Sequence, residues 1–528
     1  MGAFQFTCAR IGGAALLLAL SGTAALAADE VLLQILLTNK LITQEQYDAI
    51  VTAAAARTDT PAPPAAAERK TPAQDEGLLD VLLANGVITQ EQYAVLQSKN
   101  ADDRAKKKDD AKITLRDGFK LKSQDGEFSA QLGAYAQLDS AWYGDQTATD
   151  FSSGTELRRG RLSLNGTVFR DWDYKVEADF AGTTQGGTTN TVTVTDAFVR
   201  YNGWKSLAIT AGNFKVPFSL EAVSSGKYLT FLERGLPFAF LNLRSLGGMV
   251  STGGDNWTAA LGLFGDTVTS QNNDDEGATA SGRLTWAPLW SSDRVVHVGL
   301  SGQIREPAQT TTVSTTTGAV TNRLETVRFR SKPESNVISD RLVECTSSTA
   351  TNCGAIGAGR GRSSGRLVDT GNIGGDVAYS VFGGAEAALV FGPVSLQGEY
   401  IYTGVKREAD TDLQFGGYYL YGSWFITGES RNYKADKGVF DIIKPNRNFD
   451  LKGGGYGAWE LGLRFSGIDL NDDNVSGGQE RNMTVGLNWY PNSYVRLMAN
   501  YVHVLEVEGG AHNNEEPDLF QVRAQVAY

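Results

Sequence analysis

The chain of 528 residues carries a net charge of −12 at pH 7, and it contains 60 Gly and 13 Pro but 3 Cys and 3 His. So few cysteines exclude a Cys-rich zinc protein or a disulfide scaffold, and three histidines leave little for a His-based metal site. The acidic balance argues against nucleic-acid binding, while 41% hydrophobic residues exclude a bundle of membrane helices and favour an all-β protein.

Residues 1–27 have the pattern of an export signal. Arg10 supplies a basic start, Ile11 to Leu20 form an apolar stretch, and a small-residue cleavage site precedes Ala28. Cys8 precedes the apolar stretch, so no lipid anchor is expected. A membrane-spanning anchor is the alternative, which the short apolar run disfavours. No later run of about 18 apolar residues follows, so any membrane insertion must use strands.

Residues 28–112 contain one motif twice, starting at Leu36 and at Leu82. Thr43 and Thr89 can each cap a new helix, so the copies predict two small helical hairpins. The Ala- and Pro-rich segment between them is predicted to be an extended flexible linker, and the charged segment from 98 to 112 a solvated helix or a tether. A role in self-association and a plain spacer both remain open.

From residue 113 the hydrophobic period changes to two. Residues 159–165 and 174–180 alternate polar and apolar positions, which is typical of a strand between lipid and water and also of a soluble sandwich. The sequence therefore predicts a transmembrane β-barrel over residues 113–528. Sixteen antiparallel strands are predicted to start near residues 128, 155, 173, 191, 205, 247, 256, 277, 294, 378, 394, 416, 456, 479, 494 and 517.

The strand count and the connection lengths favour the barrel. Sixteen is even, as a closed barrel with both ends on one side requires. Connections after even-numbered strands are mostly short, whereas those after odd-numbered strands are longer and include 216–246 and about 306–377. This asymmetry is typical of short periplasmic turns and long outer loops, and the alternating C-terminal strand ends on Tyr528, as outer-membrane barrels do. Aromatic residues near predicted strand ends fit interfacial girdles: Trp142, Tyr143, Trp172, Tyr174, Trp204, Trp489, Tyr490 and Tyr494.

Two connections are predicted to narrow the lumen. Residues 216–246 are too apolar for an outer loop and carry charges that include Arg234 and Arg244, so we expect them to fold inward as a constriction. Residues 429–455 follow an even strand yet are far longer than a turn. They contain Arg431, Lys434, Lys437, Lys444, Arg447 and Lys452, and we expect them to enter the pore mouth.

The predicted pore is more basic than the chain. Residues 153–245 contain 11 Lys and Arg against 8 Asp and Glu, a local charge of +3. Alternation turns Arg159, Arg161, Lys175 and Arg200 inward, and guanidinium groups there would lower the barrier to anions. The alternative is that these cations pair with Glu177, Asp179 and Asp196 and brace the wall. Acid concentrates at 274–276 and 472–473, both in predicted outer loops.

Several motifs resemble one known family. They are Glu156–Arg161, Arg170–Trp172, Asn213–Lys215, Pro217–Glu221, Leu232–Arg234, Thr427–Arg431, Gly457–Leu461 and Leu487–Pro491. In this order, and spanning about Phe119 to Tyr528, they resemble the phosphate-selective porins O and P. The resemblance implies a homotrimeric sixteen-stranded outer-membrane channel for phosphate-like anions, with an arginine ladder and a basic central site.

The resemblance implies that Arg158 and Arg159 belong to the ladder and that Arg234 belongs to the constriction. Strict alternation turns Arg158 outward, and a bulge or a strand end would reconcile the two. Ala222 and Asp173 stand where the family places lysines, which weakens the expected phosphate preference. The predicted anion-binding and pore-lining residues are Arg158, Arg159, Arg161, Lys175, Arg200, Lys215, Arg234 and Arg244.

Other functions are less favoured. An outer-membrane protease or lipase would need a rim histidine with acidic or Ser partners, but His297 and His503 fall within strands and His512 in an acidic loop. No catalysis and no cofactor or metal are expected. Cys345 and Cys353 can form a disulfide clip or stay free, and the nearby Arg360, Arg362 and Arg366 can collect anions or be unstructured. We predict passive anion diffusion, of phosphate or polyphosphate, with a general low-selectivity porin and an adhesive or structural barrel as alternatives.

Overall fold

The computed structural model describes residues 44, 89–90, 93–94, 111–115, 118–144, 153–181, 192–268, 276–313, 320–337, 342–345, 359–362 and 365–528. The chain divides into two units, Met1–Lys107 and Lys108–Tyr528. The predicted signal peptide and Ala/Pro linker, and nearly all of the helical hairpins and the charged segment, lie outside the described residues. Within those residues, no helix has the length and apolar character needed to cross a membrane.

The second unit is built on sixteen long strands, as the two-residue period predicts. The predicted starts lie within a few residues of the observed ones. The strands are β1 Ser129–Gly144, β2 Gly154–Val168, β3 Trp172–Asp179, β4 Thr193–Trp204, β5 Leu207–Lys215, β6 Arg244–Gly253, β7 Trp257–Phe264, β8 Thr279–Trp290, β9 Arg294–Arg305, β10 Val377–Phe391, β11 Val394–Arg407, β12 Leu413–Phe425, β13 Ala458–Asp472, β14 Val475–Tyr490, β15 Val495–Glu508 and β16 Asp518–Ala527.

The sheet closes on itself. Each strand pairs antiparallel with the next, and β16 pairs with β1 from Asp518 opposite Gly144 to Ala527 opposite Tyr135. Closure leaves no unpaired sheet edge, which a membrane would not tolerate. The two faces differ as the alternation predicts: in β3, Val176 is exposed on the outside, whereas the neighbouring Glu177 is buried inside.

The connections follow the predicted parity with two exceptions. Short turns join β2 to β3, β4 to β5, β6 to β7, β8 to β9, β10 to β11 and β14 to β15. In the first of these, a three-residue connection, Phe169 and Arg170 both have positive φ. The first exception is the long connection 426–457 after β12. The second is the turn at 473–474 after β13, so Asp472 and Asp473 lie at a tight hairpin rather than in a long loop.

Short ribbons and two helical turns decorate the barrel. Lys112–Thr114 pairs with Phe119–Lys122, which pairs with the start of β1. The helical turns, α1 at Leu220–Val223 and a 3₁₀ turn at Leu236–Phe240, lie in the connection after β5. Four more ribbons lie in connections: Gln309–Val313 with Val320–Glu325, Arg330–Ser331 with Val368–Asp369, Leu342–Cys345 with Gly359–Arg362, and Tyr433–Lys434 with Val439–Phe440.

One side of the barrel interior is filled by an apolar cluster. It combines inward side chains of β10 to β13 with residues from the long connections after β5 and β9. Because such a cluster excludes water, the open part of the lumen must lie on the opposite side, near β1 to β8. The cluster consists of Phe218, Leu236, Phe240, Phe329, Val368, Ile373, Val377, Phe382, Ile401, Val405, Leu413, Phe415, Ile468 and Leu470.

The segment around Glu334, in the connection after β9, is anchored to several strands. The Glu334 carboxylate accepts hydrogen bonds from Ser466 of β13 and Thr484 of β14, and it lies 2.5 Å from a guanidinium nitrogen of Arg464. Its backbone carbonyl accepts from Gln521 of β16. This segment is therefore anchored to the part of the wall formed by β13 to β16. The side chains of Cys345, Arg360 and Arg362 and all of Cys353 lie outside the described residues, and Arg366 is half-buried.

Aromatic pairs mark the membrane boundaries. Trp459 and Trp489 stack with centroids 5.5 Å apart, and Trp172 packs on Tyr201 at 4.9 Å. Two of the predicted girdle residues instead point into the barrel. Tyr143 donates a hydrogen bond to the carbonyl of Val337, and Tyr490 donates one to the carboxylate of Glu460. Both hydroxyls find buried acceptors inside the barrel, which compensates for their loss of water.

Candidate functional site

The connection between β5 and β6 lies inside the barrel, as its apolar sequence predicts. Its side chains Phe218, Leu220, Phe231 and Leu236 are buried. Its carbonyls accept hydrogen bonds from strands on opposite walls, including one from Ser281 of β8 and one from Arg523 of β16. We call residues 216–243 the constriction loop. Arg244, predicted to be part of this loop, is the first residue of β6 and belongs to the wall.

The helical turn α1 is held at both ends by polar side chains of the wall. At its start, the Glu399 carboxylate accepts hydrogen bonds from the backbone N–H groups of Leu220, at 3.0 Å, and Glu221, at 2.7 Å. At its end, Lys215 Nζ donates to the carbonyls of residues 222, 223 and 224 at 2.6 to 3.0 Å. The Glu399 oxygens meet unpaired N–H groups and the Lys215 nitrogen meets unpaired carbonyls, so both contacts fix the loop.

A second connection enters the barrel from the short-turn end. Arg431 stacks on Phe440 with its guanidinium carbon 3.6 Å from the ring centroid. Tyr433 Oη lies 2.6 Å from His297 Nδ1, and Arg283 donates to the carbonyl of Gly438 at 2.8 Å. Residues 429–443 therefore enter the lumen as predicted. The later part of the predicted segment does not, because Leu451 and Tyr456 are exposed.

Beneath the constriction loop lies a cavity of about 1230 Å³. It is lined on one side by β1 to β8, and it extends to the short-turn end of the barrel. Fourteen basic side chains and four acidic ones, Glu177, Asp196, Asp436 and Asp441, line it, although the whole chain is acidic. The basic residues are Lys120, Arg159, Arg161, Lys175, Arg200, Lys205, Lys215, Lys227, Arg234, Arg244, Arg283, Lys437, Lys444 and Arg496.

Seven of the eight predicted site residues line this cavity: Arg159, Arg161, Lys175, Arg200, Lys215, Arg234 and Arg244. Arg158 does not line it, yet it also points inward. The β1–β2 register shifts at this position, with Arg159 opposite Gln137 and Leu157 opposite Leu138. Arg158 is the extra residue of this β-bulge, and a bulge turns consecutive side chains to one face. Strict alternation was therefore wrong for Arg158.

Three predicted pore cations have carboxylate partners on the wall. Arg161 lies 2.6 Å from Asp179 and 3.1 Å from Glu177, and Lys175 lies 2.5 Å from Asp196. Arg244 also reaches Asp196, at 2.6 Å. These pairs match the bracing arrangement that was the alternative to anion guidance. The charges of these three cations are therefore largely balanced locally.

Other lining cations pair with neutral groups. Arg200 Nε donates to Thr210, and Lys215 donates to backbone carbonyls. Arg234 Nε donates to the carbonyl of Glu221 at 2.9 Å, and its guanidinium lies 4.8 Å from the Phe238 ring centroid. Within the described part of the chain, these three and Lys227 have no carboxylate within 4.0 Å. They carry part of the positive charge of the cavity that no acid within 4.0 Å offsets.

Glu233 of the constriction loop is shared by three arginines, a group that the sequence did not indicate. Arg158 and Arg523 each approach its carboxylate to 2.8 Å, and Arg159 to 3.8 Å. Burial alone would raise the pKa of Glu233, but these cations outweigh burial and hold that pKa well below its usual value. The alternation of β16 predicts that Arg523 points inward, but its partner Glu233 lies in a loop far away in the sequence, so the pair could not be predicted.

Ala222 and Asp173, which stand where the family places lysines, each make a defined hydrogen bond. Ala222 is buried in α1, where its backbone N–H is bonded to the Ser219 hydroxyl. Asp173 accepts a hydrogen bond from the amide of Asn202 near the short-turn end. No group of three or more His, Cys, Asp or Glu suited to a metal occurs in the described ranges.

Comparison with known proteins gives a consistent match. The profile of the family described as phosphate-selective porin O and P matches residues 131–358 and 360–528. Porin O of Pseudomonas aeruginosa is 27% identical over 451 residues, which is 79% of this chain and 93% of that protein. An uncharacterized protein of Caulobacter vibrioides is 27% identical over 358 residues, which is 66% of this chain and 62% of its own.

Solved porins are similar at a greater distance. A loop L8 deletion mutant of OmpT from Vibrio cholerae has a TM-score of 0.46 at 9% identity, covering 76% of this chain and 100% of that one. An anion-selective porin from Comamonas acidovorans has a TM-score of 0.43 at 13% identity, with coverage of 76% and 100%.

Proposed function

The chain belongs to the phosphate-selective porin O and P family, and from this premise we propose that it forms an outer-membrane channel for the passive diffusion of phosphate-like anions. The observation that carries the proposal is the cavity with fourteen basic and four acidic side chains, in a chain whose net charge is −12. Segregation of positive charge into the lumen is the property that an anion pathway requires.

The mechanism follows from where the cations lie and what they bond. A cation lowers the barrier to an anion most when its donors are not already shared with a carboxylate. Arg200, Lys227 and Arg234 meet this condition, whereas Arg161 and Lys175 are paired with acids on the wall. An anion that enters the cavity would exchange water for these donors and move between them. No bond is made or broken, so the protein needs no catalytic group or cofactor.

Two observations favour a channel that admits several anions over one that admits phosphate alone. Glu177 and Asp196 line the cavity, and they reduce the net attraction for a multivalent anion. Ala222 and Asp173 supply no cation where the family places one. We therefore propose that phosphate and polyphosphate pass together with smaller anions rather than to their exclusion.

Two further features are proposed, the first on the family and the second on the composition of residues 28–112. The channel is a homotrimer in the outer membrane, and the exposed apolar side chains on the outside of the barrel contact the lipid. Residues 28–112 follow the export signal and lie in the periplasm as a spacer or tether.

Planar-bilayer recordings test the proposal. In a KCl gradient the reversal potential should show preference for chloride over potassium, and added inorganic phosphate should block the chloride current. Arg200→Gln should lower the anion-to-cation permeability ratio by about twofold, because one uncompensated charge is removed from the lumen. Lys406→Gln, at an exposed pair with Asp412 outside the cavity, is the matched control. A cation-preferring channel would contradict the proposal.

A further inference from the structure

Lys227 lies between two tyrosine rings at the top of the basic cavity. Its Nζ is 5.5 Å from the Tyr135 ring centroid and 5.6 Å from the Tyr228 ring centroid. The Arg161 guanidinium carbon lies 5.5 Å from the same Tyr135 ring. All four residues line the cavity, so anions that enter it meet cations and aromatic rings at one place.

The backbone holds this group in position. Tyr135 is on β1, opposite Arg161 on β2. In the constriction loop, the carbonyl of Lys227 accepts a hydrogen bond from Gln525 of β16, and the backbone N–H of Tyr228 donates to the carbonyl of Ser225. The rings are therefore fixed from both the wall and the loop, which reduces the cost of ordering them around a solute.

The charge of Lys227 is available to a solute. Its side chain is half-buried, and within the described part of the chain no carboxylate lies within 4.0 Å of Nζ. An anionic group that pairs with Nζ would have its remaining atoms beside one of the two rings. A chloride or phosphate ion gains nothing from those rings, but a solute with a planar ring can pack against them, most of all against Tyr228, which is half-buried, whereas Tyr135 is 7% exposed.

We propose that Lys227, Tyr135 and Tyr228 form a binding subsite for organic anions in which a phosphate or carboxylate is attached to an aromatic ring. The inference rests on the proposed anion channel and adds a preferred class of solute. The remainder of the cavity suits such a solute, because Phe198, Phe214 and Tyr490 also line it. The anionic group pairs with the lysine, and the ring packs on a tyrosine.

Methyl phosphate and phenyl phosphate make a matched pair of probes, because they carry the same anionic group and differ in the ring. In bilayers containing the full-length protein, phenyl phosphate should half-block the chloride current at about three- to tenfold lower concentration than methyl phosphate, as expected for one aromatic contact. Lys227→Met should weaken block by both probes.

Ring variants distinguish packing from general damage. Tyr228→Leu and Tyr135→Leu should bring the two half-block concentrations together, whereas Tyr228→Phe should keep them apart. Tyr400→Leu, at an exposed residue on the outer face, should leave the ratio unchanged, and heat-modifiable gel mobility reports folding of each variant. Equal block of the wild-type channel by the two probes overturns the inference, and so does a ratio that both leucine variants preserve. A wild-type channel that shows no preference for chloride over potassium would instead overturn the proposed function.

Discussion

At the scale of single residues, buried charges determine what the lumen can bind. The Glu233 carboxylate occupies a place between three guanidiniums that an anionic solute would otherwise take. Arg523 has a second partner, Asp139, at 2.6 Å. Two carboxylates reduce the charge of these three guanidiniums to a net +1, and most of the attraction for solutes falls to cations such as Arg200 and Lys227.

Replacing Glu233 tests this division. Glu233→Gln leaves the three guanidiniums with one carboxylate less, which should destabilise the folded barrel by about 3 kcal/mol because buried charges lose their partner. The same change should increase the anion preference in a KCl gradient. The temperature at which the folded band disappears in heat-modifiable gels measures the change in stability. The reversal potential measures the change in anion preference. Glu233→Asp should resemble the wild type, and an unchanged reversal potential in Glu233→Gln would contradict the assignment.

The charge of Lys227 should depend on pH within an accessible range. Burial lowers the pKa of Lys227 below its usual value of 10.5. The charged form is therefore lost at lower pH than in an ordinary lysine, so block by phenyl phosphate should weaken as pH rises toward 10. Lys227→Arg keeps its charge and should remove this dependence. A profile of block that is flat with pH in the wild type would show that Lys227 does not bind the probe.

At the scale of elements, the constriction loop is positioned by residues on the wall. Lys215 was predicted to line the pore and does so, but its three ammonium protons point at carbonyls at the end of α1. Glu399 serves the other end from β11. Lys215 and Glu399 therefore influence ion conduction indirectly, because they fix the position of the constriction loop in the lumen.

Removing either anchor should loosen the loop. Lys215→Met leaves buried carbonyls without a donor, at a cost of about 1 to 3 kcal/mol each, and Glu399→Gln weakens the contact at the other end. Single-channel currents should become noisier, and trypsin should cut after Lys227 or Arg234 faster than in the wild type. Lys406→Met is the control on the exposed surface. Quiet channels in both anchor variants would argue against this role.

The alternating sequence was sufficient to predict the strands, but it left the pairing of the wall cations open between two alternatives and did not indicate the contacts of Glu233. Strand starts follow from a two-residue period that each segment carries locally. The pairing of Glu233 with Arg523 depends on residues far apart in the chain, so no local pattern contains it. The bulge at Arg158 could be inferred only by comparing the alternation with the family motif. The tight turn after β13 was also missed, because parity predicts connection length on average and not for each hairpin.

At the scale of the whole molecule, the lumen is divided. Apolar side chains from β10 to β13 and two connections fill one side, with Phe415 and Ile468 among them. The basic cavity occupies the other side, along β1 to β8. Ions should therefore pass along one wall.

Accessibility of introduced thiols can test this division. In a background with Cys345 and Cys353 changed to serine, Arg200→Cys should react with a charged methanethiosulfonate reagent and reduce the current. Phe415→Cys, at a buried position of the apolar cluster, should react at least about tenfold more slowly, because the reagent must enter a packed region. Similar rates at both positions would mean that the apolar side is open to water.

The anchoring of Glu334 has a consequence for assembly. Its partners Ser466, Thr484 and Gln521 belong to strands that are synthesised after it, and the last of these strands is the one that closes the ring. The segment has to be enclosed while the final hairpins arrive, since afterwards the wall surrounds it. Insertion of the C-terminal hairpins and packing of the segment around Glu334 inside the barrel must therefore occur together.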